Sequence, residues 1–291
     1  MSFVTRFAPS PTGYLHLGHA FSALTAFDAA AEAGGRFLLR LEDIDQTRVR
    51  PEFEQAIYDD LSWLGLEWET PVRRQSEHFG EYAAMLDRLI GRGVMYRCFK
   101  TRREVLEEMS RAPHTAGEGP DGKVYLGPDA PMDADEEAAR VARGEAFAWR
   151  ISLARCREVL GPDWDSLSFI EEGEGPEGET GEVAARPELL GDAVLARKDA
   201  ATSYHLACVH DDALQGVNHV IRGRDLFAST HLHTLLQTLL GLDAPRYRHH
   251  RLIEDASGAR LAKRHGAPSI REAKAAGKSP QDVREIIFST S

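Results

Sequence analysis

Apolar residues recur along this chain in two alternating rhythms. Phe3-Val4-Thr5-Arg6-Phe7 has the compact, β-branched and aromatic character of a strand, and Phe37-Leu38-Leu39-Arg40-Leu41 repeats it. Between them, Ala20 to Ala33 reads as a helix. A second helix is predicted to begin at Pro51, because a first-turn N–H has no intrahelical partner to lose. Phe53, Ile57, Leu61 and Leu64 then recur at helical spacing until Gly65 stops the run. Tyr82, Met85, Leu86, Leu89 and Ile90 mark a third amphipathic helix, closed by Gly91 and Gly93. Strands that alternate with helices predict a mainly parallel sheet.

The middle of the chain breaks this rhythm. Residues 112–135 are rich in Gly, Pro, Asp and His and read as a mobile loop. Residues 171–188 are acidic and glycine-rich, and read as a solvated loop with no direct role. The α/β pattern resumes afterwards. Ala193 to Arg197, Thr202 to Val209 and Val217 to Arg222 are predicted strands, and Ala228 to Leu240 a helix. The expected organisation is an α/β domain in two halves, 1–96 and 191–244, interrupted by an α+β insertion over 97–190. A short extension over 245–291 follows.

Composition narrows the class without naming an activity. With 42% apolar and 28% charged residues the chain is ordinary for a soluble globular protein. No apolar run of about 18 residues and no signal-peptide pattern is present, so no membrane partner is expected. The three cysteines, Cys98, Cys156 and Cys208, lie far apart, which suits reduced thiols in a cytoplasm. A net charge of −11 argues against nonspecific coating of nucleic acid but leaves room for a local basic grip. Nothing demands more than a monomer.

Candidate chemistry concentrates at two places. His16-Leu17-Gly18-His19 follows the turn Pro9-Ser10-Pro11-Thr12-Gly13, where a strand hands over to a helix. Free backbone N–H groups and the helix dipole favour phosphate at such a point. Gly18 lets a flat ring approach the backbone. The two imidazoles are either capping groups or donors to charge developing on phosphorus. The second place is Gly258-Ala259-Arg260-Leu261-Ala262-Lys263-Arg264-His265-Gly266, a basic loop bounded by glycines. Only six of the 35 basic residues are Lys, which draws attention to Lys263 as a mobile point charge for phosphate.

The His-x-Gly-His turn and the late Leu261-Ala262-Lys263-Arg264 segment together resemble the paired signatures of class I aminoacyl-tRNA synthetases. More narrowly, Arg6 to Gly13, Leu39 to Asp45, and Tyr204 through Asp211-Asp212 to Arg222-Gly223 are similar to the glutamyl-tRNA synthetase catalytic domain. The similarity runs from residue 2 to about 100 and from about 191 to 268. It implies a Rossmann-type parallel sheet with an inserted subdomain. It also implies glutamate and ATP, with Mg²⁺, as ligands. Arg6, Phe7, Ala8, Pro9, Ser10, Glu42, Tyr204 and Arg222 would line the glutamate site. His16, Gly18, His19 and Lys263 would bind ATP, with His16, His19 and Lys263 serving the chemistry.

That assignment suits the ligand. Two arginines can each grip a carboxylate through paired N–H groups, and Glu42 can take the ammonium. A salt bridge from Glu42 to Arg40 or Arg48 is the competing reading. No cysteine is needed as a nucleophile, because an adenylate already carries a good leaving group.

Only 23 residues follow position 268, too few for the anticodon-binding domain of that family. The resemblance therefore points to its short branch, the glutamyl-Q tRNA(Asp) synthetases. These activate glutamate and attach it to queuosine in the anticodon loop of tRNA(Asp). Alternatives are a truncated glutamyl-tRNA synthetase charging tRNA(Glu), a non-catalytic glutamate- or nucleotide-binding paralogue, and a nucleotidylyltransferase. Arg102, Arg103 and the arginines over 246–251 are candidates for gripping the tRNA.

Two departures from the family pattern matter. Relatives carry a zinc site with a Cys-x-Cys pair, a Tyr and a third Cys. Here the sequence reads Cys98-Phe99-Lys100, with Tyr125 and then Asp129. Zinc is expected to be absent, with His114 as the one substitute ligand that could restore it. The lysine loop has Ala262 where the family has Ser, at the loss of one hydroxyl.

Overall fold

In a computed structural model, residues 2–120, 122–128, 130–197, 201–253 and 269–289 are described. Lys263, the rest of its basic loop and Asp129 lie outside the described residues. The chain opens with β1 (Val4–Phe7), α1 (Leu17–Glu32), β2 (Arg36–Leu41), α2 (Pro51–Trp63), a short β3 (Arg73–Arg74) and α3 (Phe79–Gly91). β1, β2 and β3 are parallel in that order, with Val4 opposite Arg36 and Arg40 opposite Arg73. Pro51 sits in the first turn of α2, and the chain leaves the helix through Gly65 at φ +81°, a conformation that glycine adopts freely.

The insertion contains β4 (Met95–Cys98), α4 (Arg102–Arg111), β5 (Ala116–Gly119), β6 (Gly122–Tyr125), α5 (Ala134–Ala142), β7 (Ala148–Ile151) and α6 (Leu153–Leu160). The region read as a loop over 112–135 thus holds an antiparallel hairpin, with Gly117 opposite Val124. Its glycines hid the strand pattern, since they carry no side chain to alternate.

Next come β8 (Ser168–Glu171), β9 (Gly181–Ala184), β10 (Val194–Arg197), α7 (Tyr204–Leu214), β11 (His219–Gly223), α8 (Phe227–Leu240) and β12 (Arg246–His250). The end is α9 (Ile270–Ala275) and α10 (Pro280–Ser289). β10, β7 and β4 form a separate antiparallel sheet. Strands from both sides of the expected limits 97 and 190 therefore enter the inserted unit.

Two further expectations change. Thr202 to Val209 is not a strand; α7 begins there, with the Ser203 side chain accepting from the Leu206 N–H. A helix cap outweighs the local β-like run. The acidic segment over 171–188 is not simply solvated loop. β9 lies within it and pairs antiparallel with β8, which ends at Glu171 and continues the sheet as the parallel neighbour of β12. β9 has no buried residue, so no apolar period marked it.

β11 and β12 are parallel, with Arg222 opposite His249. β1 and β11 meet at Asn218, whose N–H donates to the Val4 carbonyl at 3.1 Å. The Asn218 Oδ1 accepts from the Val4 N–H at 2.8 Å. Phe37, Leu39 and Leu41 pack with α1 in one core, joined by Ile270, Val283 and Ile287 of the last two helices. Leu38 faces the other way, into a core with Val220, Phe227 and Tyr247. α3, α7 and α8 share a third core with the inserted sheet. No helix among the described residues is long and apolar enough to cross a membrane.

Candidate active site

The parallel strands β1, β2, β11 and β12 all end at one cleft of about 330 Å³. In open α/β sheets, ligands sit beyond the carboxyl ends of the strands, where the connections diverge. Here that point lies between β1 and β11. Arg6 and Phe7 end β1 and residues 8–10 leave it, Glu42 follows β2, Arg222 is the penultimate residue of β11, and His250 to Ile253 lie at and beyond the end of β12; all line the cleft. His16, Gly18 and His19 reach it from the start of α1, and Tyr204 from the start of α7. All eleven site residues expected from the sequence that fall in the described regions therefore meet in one place. Lys263 is outside those regions.

His16 and His19 cap the helix and line the cleft at the same time. The His16 Nδ1 accepts from the Gly18 N–H at 3.1 Å, and the His19 Nδ1 accepts from the His16 N–H at 3.2 Å. The rings stack with centroids 3.8 Å apart. With both Nδ1 atoms accepting, the network assigns the hydrogen of each neutral ring to Nε2. The two readings left open for this pair are thus compatible: capping fixes the rings where they line the cleft.

The floor of the cleft is a buried charge network centred on Asp212 of α7. Asp212 takes the Arg6 Nε at 2.9 Å and Nη2 at 3.3 Å, and the Arg40 Nη1 at 2.7 Å. Arg40 Nη2 donates to the Glu42 Oε1 at 3.1 Å. The salt bridge weighed for Glu42 therefore forms with Arg40, and Glu42 still lines the cleft. Burial works against the Asp212 charge, yet Arg6 and Arg40 together hold its carboxyl well below the usual range. Burial pushes the Glu42 carboxyl up, against the pull of Arg40 and Arg6. The Cys208 thiol lies 3.5 Å from the Asp212 Oδ2. Burial and the charges of Asp212 and Glu42 push it up to about 12, so it stays a neutral thiol and no nucleophile.

Arg222 is held differently. Its Nε donates to the His249 Nε2 at 3.1 Å, Nη1 to the Tyr204 hydroxyl at 3.2 Å and Nη2 to the Thr230 Oγ1 at 2.7 Å. None of these partners is a carboxylate. The Tyr204 hydroxyl accepts from Arg222, so its own hydrogen remains to be donated. Burial raises the Tyr204 pKa and keeps that hydrogen in place.

Sequence reasoning did not find Asp212 as the hub, nor His249, Thr230 or Glu171. Asp211-Asp212 stood in a recognised motif without a role, and its spacing of four and eight from Cys208 and Tyr204 was an available signal. The zinc pattern meets a different arrangement. Cys98 is buried in a small apolar core with Val105, Met109 and Tyr125. The Lys100 ammonium pairs with Glu108 at 2.6 Å, and the Tyr125 hydroxyl donates to the same carboxylate at 3.1 Å. An ammonium at that position does not fit a cation site.

The profile of the family "tRNA synthetases class I (E and Q), catalytic domain" matches residues 2–160 and 173–289. The chain is 46% identical to a glutamyl-Q tRNA(Asp) synthetase of Rhodobacter capsulatus, over 98% of this chain and 99% of that one. It is 40% identical to a protein of the same name from Symbiobacterium thermophilum, over 96% of this chain and 83% of that one. Among solved structures, a glutamate–tRNA synthetase of Elizabethkingia anophelis superposes with a TM-score of 0.73 at 25% identity. That match covers 91% of this chain and 53% of the other, so the chain spans about half the length of that synthetase. The sheet, the cleft at its carboxyl edge and these matches agree: the chain belongs to the class I tRNA synthetases of the glutamate and glutamine group.

Proposed function

We propose that this chain activates L-glutamate with ATP, without tRNA, and transfers the glutamyl group to queuosine in the anticodon loop of tRNA(Asp). The observation that carries the reading is the convergence of Arg6, Glu42, Tyr204, Arg222 and the His16–His19 pair on one cleft. Glutamate has two carboxylates and one ammonium; the cleft offers Arg222, the Arg6 Nη1 group, which Asp212 does not engage, and the Glu42 carboxylate. The glutamate α-carboxylate attacks the α-phosphorus of ATP; the bond to the bridging oxygen breaks and pyrophosphate leaves. His16, His19 and Lys263 donate to the phosphate oxygens as charge develops there. Mg²⁺ bound to ATP supplies further neutralisation of the phosphates. A queuosine hydroxyl then attacks the acyl carbon, and AMP departs.

The names of the Rhodobacter and Symbiobacterium relatives support queuosine in tRNA(Asp) as the acceptor over the 3′ end of tRNA(Glu). The test is glutamate-dependent ATP–pyrophosphate exchange without tRNA, followed by glutamate transfer to tRNA(Asp) with and without queuosine. Exchange without tRNA and transfer only to the queuosine form are expected. Exchange that requires tRNA(Glu) would overturn the reading. Arg222→Ala should raise the glutamate KM while leaving the ATP KM unchanged; an unmoved glutamate KM would remove Arg222 from the pocket.

A further inference from the structure

Behind Arg222 lies a pair of groups that the reaction as described does not use. Glu171 ends β8, at the head of the acidic segment, and is 1% exposed. Its Oε2 is 2.5 Å from the His249 Nδ1. Its Oε1 accepts the N–H groups of His249 and Gly173, both at 2.8 Å. Gly173 is required for that second contact, since a Cβ there would run into the His249 carbonyl. The His249 ring then meets the Arg222 Nε through Nε2. We propose that Glu171 and His249 form a positioning relay that orients Arg222 for a substrate carboxylate while compensating its charge from a distance. The proposal rests on the reading of Arg222 as a glutamate-binding residue.

The reasoning is one of donors and acceptors. Arg222 presents a donor at Nε, so His249 Nε2 must accept, and the ring hydrogen must sit on Nδ1. A carboxylate facing Nδ1 accepts and cannot donate, so Glu171 permits only that tautomer. A guanidinium has five N–H groups. His249, Tyr204 and Thr230 take one each, from Nε, Nη1 and Nη2. One N–H remains on each Nη, the paired geometry that receives a carboxylate through both oxygens. Arg6 shows the alternative, with Nε and Nη2 already bound directly to Asp212. A carboxylate placed on Arg222 in that way would compete with substrate. One imidazole between the charges keeps the buried cation compensated and its outer edge open. Burial depresses the His249 pKa to about 4 despite Glu171, which keeps the ring neutral and able to accept.

Two measurements test the relay. In ¹⁵N-histidine NMR of the intact protein near pH 7, with the signal assigned through His249→Asn, His249 should be the neutral Nδ1–H tautomer. An Nε2–H tautomer or an imidazolium would overturn the proposal. In ATP–pyrophosphate exchange, Glu171→Gln removes the charge and lets the side-chain amide face His249 either way round. The glutamate KM should rise roughly 10-fold, the size seen when a group that orients a ligand is lost. The ATP KM should stay near wild type. Equal rises in both KM values would mean a merely structural role and overturn the relay. A normal glutamate KM in Glu171→Gln, with a raised one in Arg222→Ala, would overturn the relay alone. A normal glutamate KM in Arg222→Ala would instead take down the pocket assignment on which it rests.

Discussion

At the scale of single residues, the His16–His19 pair shows how one side chain can serve structure and chemistry together. Each ring spends Nδ1 on a backbone N–H at the start of α1, which fixes its plane and its tautomer. The rings are thereby preorganised at the cleft, and preorganised donors cost little reorganisation when charge develops in the transition state. Replacing His19 with Ala should therefore lower exchange by ~10²-fold or more, and Lys263→Ala should do the same. Loss of the His19 cap removes only one of the helix-start contacts, so the thermal midpoint should move little beside the rate. A His19→Ala variant with an unchanged exchange rate would refute the catalytic role and leave capping as the whole function. Arg222 illustrates the reverse lesson. Its identity was legible in the motif, but its partners Glu171 and His249 lie 78 residues apart in segments that carry no shared pattern. An acidic, glycine-rich run is the composition of solvated chain, and only tertiary pairing shows that its first carboxylate is buried.

At the scale of elements, α7 is the piece that organises the cleft. Tyr204, Cys208 and Asp212 stand four apart, so a helix presents them as one stripe. Read as a strand over Thr202 to Val209, the same residues would never bring Asp212 toward Arg6. The misreading came from weighing side-chain types while passing over Ser203, whose hydroxyl caps the first turn. β1, β2, α1 and α2 were legible because caps, proline and apolar period agree there. The stripe makes Asp212 a structural hub with a predictable cost. Asp212→Asn leaves Arg6 and Arg40 buried with one countercharge removed, a change expected to lower stability by about 3–5 kcal/mol. The sign of the pH effect follows from the direction of the shift. The folded-state pKa of Asp212 lies below its unfolded value, so its contribution is fully present above about pH 4. It is lost as pH falls further, toward the folded pKa. Urea unfolding should therefore show a large gap between wild type and Asp212→Asn at pH 7 that narrows below about pH 4. A gap that stays constant on acidification would show that the charge of Asp212 is not what the network depends on.

At the scale of the whole molecule, the catalytic sheet and the insertion are held by different means. The sheet converges four strand ends on a cleft whose floor is ionic. The insertion closes over a small apolar core in which the Cys98 side chain is one member among Val105, Met109 and Tyr125. At its rim Glu108 receives both the Lys100 ammonium and the Tyr125 hydroxyl. Burial and the Glu108 charge raise the Tyr125 pKa, so this hydroxyl keeps its hydrogen beside Glu108. A metal bound here would have to accept the Lys100 ammonium as a neighbour and draw Cys98 out of its apolar cluster. Each step opposes binding, since zinc requires deprotonated sulfur and anionic or neutral donors. The rim of the cluster is held by an ion pair and a hydrogen bond. Protein purified without a His tag should therefore contain no stoichiometric zinc, and its thermal midpoint should not shift when a strong chelator is added. Glu108→Gln removes the acceptor charge shared by Lys100 and Tyr125 and should lower that midpoint, whereas added zinc should not restore it. One zinc per chain in the untagged protein, or recovery of the variant by zinc, would overturn this account of the insertion.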